Sequence, residues 1–205
     1  MPCGRAAAQG AVTASGFVTL AEHRVNVGYG VERSTGALVG AVAALRIGHR
    51  LEVAVRAEGG TLNASSGGAI DRDVGEIGVQ ARWLVDSWLV LEAGAARRVY
   101  STLLARQVWT TAGAGAEARL PLLESGLTGV LRASLLPVVS VNGTQGPDVG
   151  VLAAAGISYH WPTLGVRVLY SLERYDFPRL GAVQRLEQVS ALTLQFDITP
   201  GKPPR

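Results

Sequence analysis

Ser158 and His160 are the residues whose types and spacing come closest to catalytic chemistry in this chain. Two positions apart on a β-strand, they would share one face, where the imidazole could accept the proton of the serine hydroxyl. The other two histidines, His23 and His49, have no plausible catalytic partner in the sequence, and we expect both at the rims of the fold. We therefore interpret Ser158 and His160 as a polar pair beside a turn, with an acyl hydrolase as the minor alternative.

Phosphate, metal and thiol chemistry are not indicated by the sequence. The closely spaced glycines at 28–30 and 113–115 have no phosphate-loop context. The single cysteine, Cys3, has no second cysteine for a disulfide and no companion for a metal site. The sequence predicts no cofactor and no metal, and it favours a non-enzymatic protein without deciding the point.

Glutamate and arginine form the largest set of chemically versatile side chains. They alternate with apolar residues and glycines, and acids nearly balance bases, so cross-strand pairs should neutralise them. The set comprises Glu32, Arg46, Glu52, Arg56, Glu58, Glu76, Arg82, Glu92, Arg98, Glu117, Arg119, Arg132, Arg167 and Glu173. These charges would either line a narrow polar path for ions or fill a small lumen and plug it. We favour the plug.

A period of two residues runs through most of the chain and predicts strands that carry these charges. In 51–58, for example, Leu51, Val53 and Val55 alternate with Glu52 and Arg56. Ten strands are predicted, at 24–33, 36–48, 51–62, 74–86, 88–102, 107–120, 127–141, 149–160, 164–175 and 185–198. A dozen residues at ~3.3 Å each and a tilt near ~40° cover roughly 30 Å, the thickness of a hydrocarbon layer. The prediction is an all-β fold, an antiparallel up-and-down transmembrane β-barrel of about ten strands, with eight or twelve as alternatives.

One face of the predicted strands carries no charge and is expected to meet lipid. It includes Val25, Val27, Tyr29, Val31, Val39, Ala41, Ala43, Leu45, Ile47, Leu127, Leu131, Leu135, Val139 and Val141. A soluble barrel would have the reverse arrangement, with charge outside and apolar side chains inside. Aromatic residues near the strand ends predict two girdles at the membrane interfaces. The first comprises Trp83, Trp88, Tyr159, Trp161 and Phe196, and the second Tyr100, Trp109, Tyr170, Tyr175 and Phe177.

The predicted connections alternate in length. Those at 48–50, 86–87, 121–126 and 161–163 are tight, whereas those at 63–73, 142–148 and 176–184 are longer and more polar. A short link at Ser34 and Thr35 is the exception. Short periplasmic turns and longer external loops are typical of outer-membrane barrels, so we expect the tight turns on the periplasmic side.

Composition and charge exclude several other classes. The 205 residues include 26 glycines and suit a single domain. A net charge of +3, with arginines spread through the strands, argues against nucleic-acid binding. No uninterrupted apolar run approaches the ~20 residues of a membrane-spanning helix. We expect a flexible N-terminal segment at 1–20, interpreted as a tail or a signal-peptide remnant, a barrel at 21–199 and a tail at 200–205.

Residues 24–198 resemble the broad class of small bacterial outer-membrane β-barrel proteins, by pattern and not by a signature motif. The last strand, Leu192 to Phe196, is similar to the terminal strand that the barrel assembly machinery recognises, although a tail follows it here. The resemblance implies a place in the outer membrane of a Gram-negative cell envelope, reached with an export signal. The expected partners are the lipid bilayer and, during biogenesis, the barrel assembly machinery, with protein partners unknown and no nucleic acid.

Three functions are compatible with this resemblance. The favoured one is a structural or envelope-interaction barrel whose lumen is filled by Glu and Arg pairs. The second is a narrow porin-like channel, whose ion selectivity would change when Arg56 or Arg132 is neutralised. The third is a lipid-modifying hydrolase. Some small outer-membrane barrels of that kind carry a His-x-Ser motif, whereas this chain has the reverse order at Ser158 and His160.

Overall fold

Ten antiparallel strands in chain order close into one barrel. The computed structural model describes residues 11–28, 30–66, 68–123, 126–143, 145–161, 163–179 and 184–198. The strands are β1 (Ala11–Asn26), β2 (Val31–Ile47), β3 (Leu51–Ser66), β4 (Arg72–Leu84), β5 (Leu89–Ser101), β6 (Arg106–Pro121), β7 (Leu127–Val141), β8 (Val149–His160), β9 (Leu164–Asp176) and β10 (Leu186–Ile198). Each strand pairs with its neighbours in sequence, and β1 pairs with β10 to close the sheet. The predicted up-and-down barrel of ten strands is therefore confirmed.

Side-chain exposure alternates along the strands as the period of two predicts. In β8 the outward positions Val149, Val151 and Ile157 are exposed, whereas Ala154 and Ser158 are buried. This alternation exists because successive side chains of a strand point to opposite faces of the sheet. Across the described ranges, the chain contains no helix that is long and apolar enough to cross a membrane.

The first two strands differ from the prediction. Residues 11–26 form β1 and 31–47 form β2, so the strand predicted at 24–33 is wrong, and β1 occupies half of the segment expected to be a flexible tail at 1–20. The turn lies at 27–30, where Gly28 has φ 87° and donates to Asn26 Oδ1 at 2.9 Å. The predicted link at Ser34 and Thr35 is also wrong, since both lie within β2. Residues 11–21 of β1 carry no charge and include small residues such as Thr13 and Ser15, so the strand pattern of this segment is weak. Residues 1–10 and 199–205 lie outside the described residues.

The shifted β1 and a bulge in β7 reverse two parts of the predicted lipid-facing surface. Val25 is buried inside the barrel, and Tyr29 lies outside the described residues. In β7 the register shifts opposite Gly113, which faces both Leu136 and Pro137. Such a bulge moves every later side chain to the other face. Val139 and Val141 therefore point inward, contrary to the prediction, and Val141 is buried.

The barrel has two ends, which are named here by their connections. The turn end carries the links at 48–50, 85–88, 122–126 and 161–163, together with the start of β1 and the end of β10. The loop end carries the links at 27–30, 67–71, 102–105, 142–148 and 177–185. The apolar core lies inside the barrel toward the loop end. It consists of Ala21, Leu38, Leu62, Val74, Tyr100, Trp109, Val141, Tyr175 and Phe177.

Candidate functional site in the barrel interior

The predicted charged residues all lie on inward-facing strand positions. Contacts between strands that are not neighbours identify this face as the interior. Arg98 on β5 donates to Glu173 on β9 at 2.9 Å, and Arg132 on β7 bonds Glu92 on β5. Glu32 also points inward, and none of the described acid–base pairs includes it. The interior is therefore polar over much of its length, which is the reverse of a soluble barrel.

Glu117 is the centre of a charge network at the turn end. Its carboxylate is buried and accepts from Arg82 at 2.7 Å and from Arg119 at 2.8 Å, while Arg167 lies 3.7 Å away. Arg82 also donates to Glu52 at 3.1 Å. One carboxylate is thus shared by three guanidinium groups from three strands, and these side chains link β3, β4, β6 and β9 across the lumen. Charge-assisted bonds of this kind are the strong ones in proteins.

A second buried carboxylate in the lumen is that of Glu92. Glu92 is buried and accepts from Gln80 at 2.9 Å, from Ser134 at 3.0 Å and from Arg132. Both carboxylate oxygens are therefore hydrogen-bonded, so this buried charge carries no unsatisfied acceptor.

Arg98 lies between the polar region around Glu92 and the aromatic residues nearer the loop end. Its guanidinium contacts Glu173 through two bonds, at 2.9 and 3.2 Å, and it also bonds Glu76. The Tyr175 hydroxyl donates to Glu173 at 2.9 Å. A planar guanidinium held by two carboxylates from β4 and β9 is a rigid cross-link of the lumen.

Arg56 packs on an aromatic ring that occupies the space left by an inward-facing glycine. It donates to Glu58 at 2.8 Å and lies over the Phe17 ring, with 4.0 Å between the guanidinium carbon and the ring centroid. The ring fits only because residue 40 is glycine, since a Cβ at Gly40 would lie 2.2 Å from it. The glycine therefore makes room for an aromatic ring that fills the lumen and supports an arginine.

His23 belongs to a buried cluster that the sequence did not reveal. Its Nε2 lies 2.8 Å from Glu187 Oε2, and its ring stacks on Tyr100 with centroids 5.0 Å apart. Arg72 approaches Nδ1 at 3.2 Å and can only donate, so Nδ1 accepts and Nε2 donates its proton to Glu187. Arg185 also bonds Glu187. The expectation that His23 lies at a rim is wrong, because its side chain is buried in the barrel interior. Its carboxylate partner is 164 residues away and meets it only when β10 closes on β1, so no local pattern predicts the pair.

Four aromatic rings close the interior at the loop end. Trp109 contacts Tyr100, Tyr175 and Phe177, with ring centroids 6.4, 5.2 and 5.9 Å apart. All four are buried, with Trp109 only 3% exposed. Their predicted place in a girdle at the membrane interface is therefore wrong, and Trp109 in particular faces the lumen. We name these four residues the aromatic plug.

The other predicted interface aromatics point outward. Trp83, Trp88, Trp161 and Phe196 are exposed near the turn end, and Tyr159 contacts Trp161 edge to face at 4.4 Å. Tyr170 is also exposed, but it lies farther along β9, nearer the loop end.

Ser158 and His160 share the inward face but not the same environment. Ser158 is buried, whereas His160 is exposed at the turn end, and no hydrogen bond between their side chains occurs in the part of the chain that is described. His49 is exposed in the turn at 48–50. Among the described residues, no three His, Cys, Asp or Glu side chains are grouped closely enough to hold a metal ion.

Comparison with known proteins identifies a fold and no family. No protein-family model matches the sequence, and no curated protein matches it. The structure is similar to the outer membrane protease OmpT from Escherichia coli, with a TM-score of 0.62 at 9% identity over 93% of this chain and 96% of that one. Weaker likenesses are to the beta domain of the Bordetella autotransporter BrkA (TM-score 0.47, 11% identity, 92% and 98% covered) and to Neisserial surface protein A (TM-score 0.41, 15% identity, 91% and 97% covered). The chain has the fold of bacterial outer-membrane β-barrels.

Proposed function

We propose that this chain spans the bacterial outer membrane as a barrel with a closed lumen and serves a structural or envelope-interaction role. The outer surface supports the membrane location. Large apolar side chains such as Val39, Leu131, Leu135 and Leu192 are exposed there, and a continuous apolar belt of this kind is stable in lipid but would aggregate in water. An outer-membrane location requires export, which is part of the proposal.

The proposal of a closed lumen is supported by two different kinds of contact that fill the interior of the barrel. Around Glu117, guanidinium groups and carboxylates bond one another across the lumen at the turn end. The aromatic plug fills the loop end. A solute on the barrel axis would have to break both, and a small ten-stranded barrel leaves little space beside them.

The narrow channel is the competing function, and its predicted selectivity residues are already engaged. Arg132 bonds Glu92, and Arg56 bonds Glu58 and stacks on Phe17.

We also propose that the barrel assembly machinery inserts the chain. The outward side chains Leu192, Leu194 and Phe196 of β10 support this, because they present the alternating apolar pattern of a terminal strand.

Single-channel recording in planar lipid bilayers tests the closed lumen. The refolded wild-type protein, verified by heat-dependent gel migration, should give no current steps. The Arg132→Gln and Arg56→Gln variants should be equally silent, since the aromatic plug remains. Wild-type steps whose ion selectivity changes in Arg132→Gln would overturn the proposal and establish the narrow channel.

A further inference from the structure

The outer face formed by β2, β1, β10 and β9 carries a row of basic residues. The register places Arg33 opposite Arg24, Arg24 opposite Gln188, and Gln188 opposite Arg174. All four alternate with inward-facing neighbours and therefore point outward. With neighbouring strands ~4.8 Å apart, the three arginines span roughly 14 Å along one line.

This row marks the edge of the apolar belt on these four strands. Between the row and the turn end, the outward residues of the four strands are uncharged except for Glu22, which bonds Arg24. The arginines therefore stand where the hydrocarbon layer would give way to lipid headgroups, if the belt lies in a membrane.

On the turn-end side of the row, the same face has an open depression of ≈510 Å³. One outward position closer to the turn end, Thr35 and Ser190 place hydroxyl groups on either side of Glu22, whose carboxylate is bonded to Arg24. Leu20, Leu192 and Tyr170 follow at the next position. From the loop end toward the turn end, the surface thus changes from a cationic row, through a polar level of two hydroxyls and the paired Glu22, to apolar side chains. This is the order of groups that a phosphorylated lipid requires.

The charges of the row are incompletely neutralised. Arg24 is paired with Glu22, and Arg174 donates to Asp176 at 3.1 Å. Arg33 has no acidic partner among the described residues, yet it lies directly opposite Arg24. Like charges at opposite positions of neighbouring strands repel each other. An anion with several acceptor oxygens would remove this repulsion, and phosphate matches the guanidinium fork.

We propose that this face binds the phosphorylated headgroup of an outer-leaflet glycolipid of the lipid A type, with an acyl chain in the depression below. The inference rests on the proposed outer-membrane location, with the loop end outside. A row of about 14 Å favours a headgroup with more than one phosphate, because a single phosphate reaches only neighbouring arginines.

Lipid-dependent stabilisation in detergent micelles tests the site. The refolded chain is titrated with bisphosphorylated lipid A, with dephosphorylated lipid A carrying the same acyl chains, and with phosphatidylglycerol. The midpoint of the heat-dependent gel shift is measured at each lipid concentration. Bisphosphorylated lipid A should raise the midpoint of the wild type, phosphatidylglycerol should raise it less, and dephosphorylated lipid A should leave it unchanged.

Two variants and one control locate the effect. Arg24→Gln/Arg33→Gln should weaken the apparent affinity for bisphosphorylated lipid A at least tenfold, and Arg24→Lys/Arg33→Lys should recover part of it. The control Arg97→Gln removes an exposed, outward arginine from β5, away from this face, and should change the affinity less than twofold.

Several outcomes would overturn the proposal. Dephosphorylated lipid A could raise the midpoint as much as bisphosphorylated lipid A, or Arg24→Gln/Arg33→Gln could leave the affinity for bisphosphorylated lipid A unchanged. Arg97→Gln could lower that affinity as much as the double variant does. The wild type could also form a dimer without lipid that the double variant does not form. In each case the folded, boiling-sensitive band shows that the barrel itself is intact. If the chain never gives this band in detergent, the result contradicts the proposed membrane barrel, and the lipid site that depends on the barrel is then contradicted as well.

Discussion

The two ends of the barrel are built with opposite arrangements of polar and apolar residues. At the turn end, Glu117 and its arginines lie inside, while Trp83 and Trp161 lie outside. At the loop end, Trp109 lies inside and Arg33 lies outside. The first arrangement is that of a membrane barrel. The second is closer to that of a soluble one, although the polar pair of His23 and Glu187 is buried beside the aromatic plug. The strands thus change from one surface type to the other along their length, and the change marks where the hydrocarbon layer would end.

The largest expected effect comes from the turn end. Glu117→Gln leaves Arg82, Arg119 and Arg167 without their shared carboxylate, and we expect it to lower the free energy of unfolding by ~5 kcal/mol, the upper part of the range for a broken buried ion pair. Urea unfolding in lipid vesicles measures this value. The control Arg46→Gln removes a mostly exposed guanidinium, 3.7 Å from Glu52, and should cost less than ~1 kcal/mol. Equal effects of the two variants would show that burial does not govern the network.

The aromatic plug at the loop end should respond to the loss of volume and not to the loss of charge. Trp109→Ala removes the central ring of the aromatic plug and should cost ~3–5 kcal/mol, since the rigid wall of strands cannot collapse into the cavity. Trp161→Ala is the matched control on the outer surface and should cost much less. If Trp161→Ala were the more damaging variant in urea titrations, the plug would not be a core.

These two ends also differ in how far the sequence predicted them. At the turn end, charges alternate with apolar residues, so strands and inward positions could be assigned from the period alone. At the loop end, the assumption of a lipid-facing surface along the whole strand placed Trp109 outside. The bulge at Pro137 reversed Val139 and Val141, and the pairing of His23 with Glu187 depends on barrel closure, which no local pattern records.

The smallest predicted effect concerns the space between the two ends. Gly40→Ala would bring a methyl group against the Phe17 ring and the carbonyl oxygen of Ala57, so we expect a loss of ~1–3 kcal/mol. Gly16→Ala, on the outer face of β1, meets nothing within 4 Å and should stay within ~0.5 kcal/mol of the wild type. Both values come from the same urea titrations. A tolerated Gly40→Ala would mean that Phe17 is free to leave the lumen.

Quenching of tryptophan fluorescence by brominated lipids tests the central claim, that the outer belt meets lipid while the interior is closed to it. The chain has four tryptophans, at positions 83, 88, 109 and 161. The variant Trp83→Phe/Trp88→Phe/Trp161→Phe keeps only Trp109. In vesicles, the wild type should be strongly quenched and this variant weakly. Equal quenching of both would contradict the inward position of Trp109, and an unquenched, detergent-independent wild type would contradict the membrane barrel.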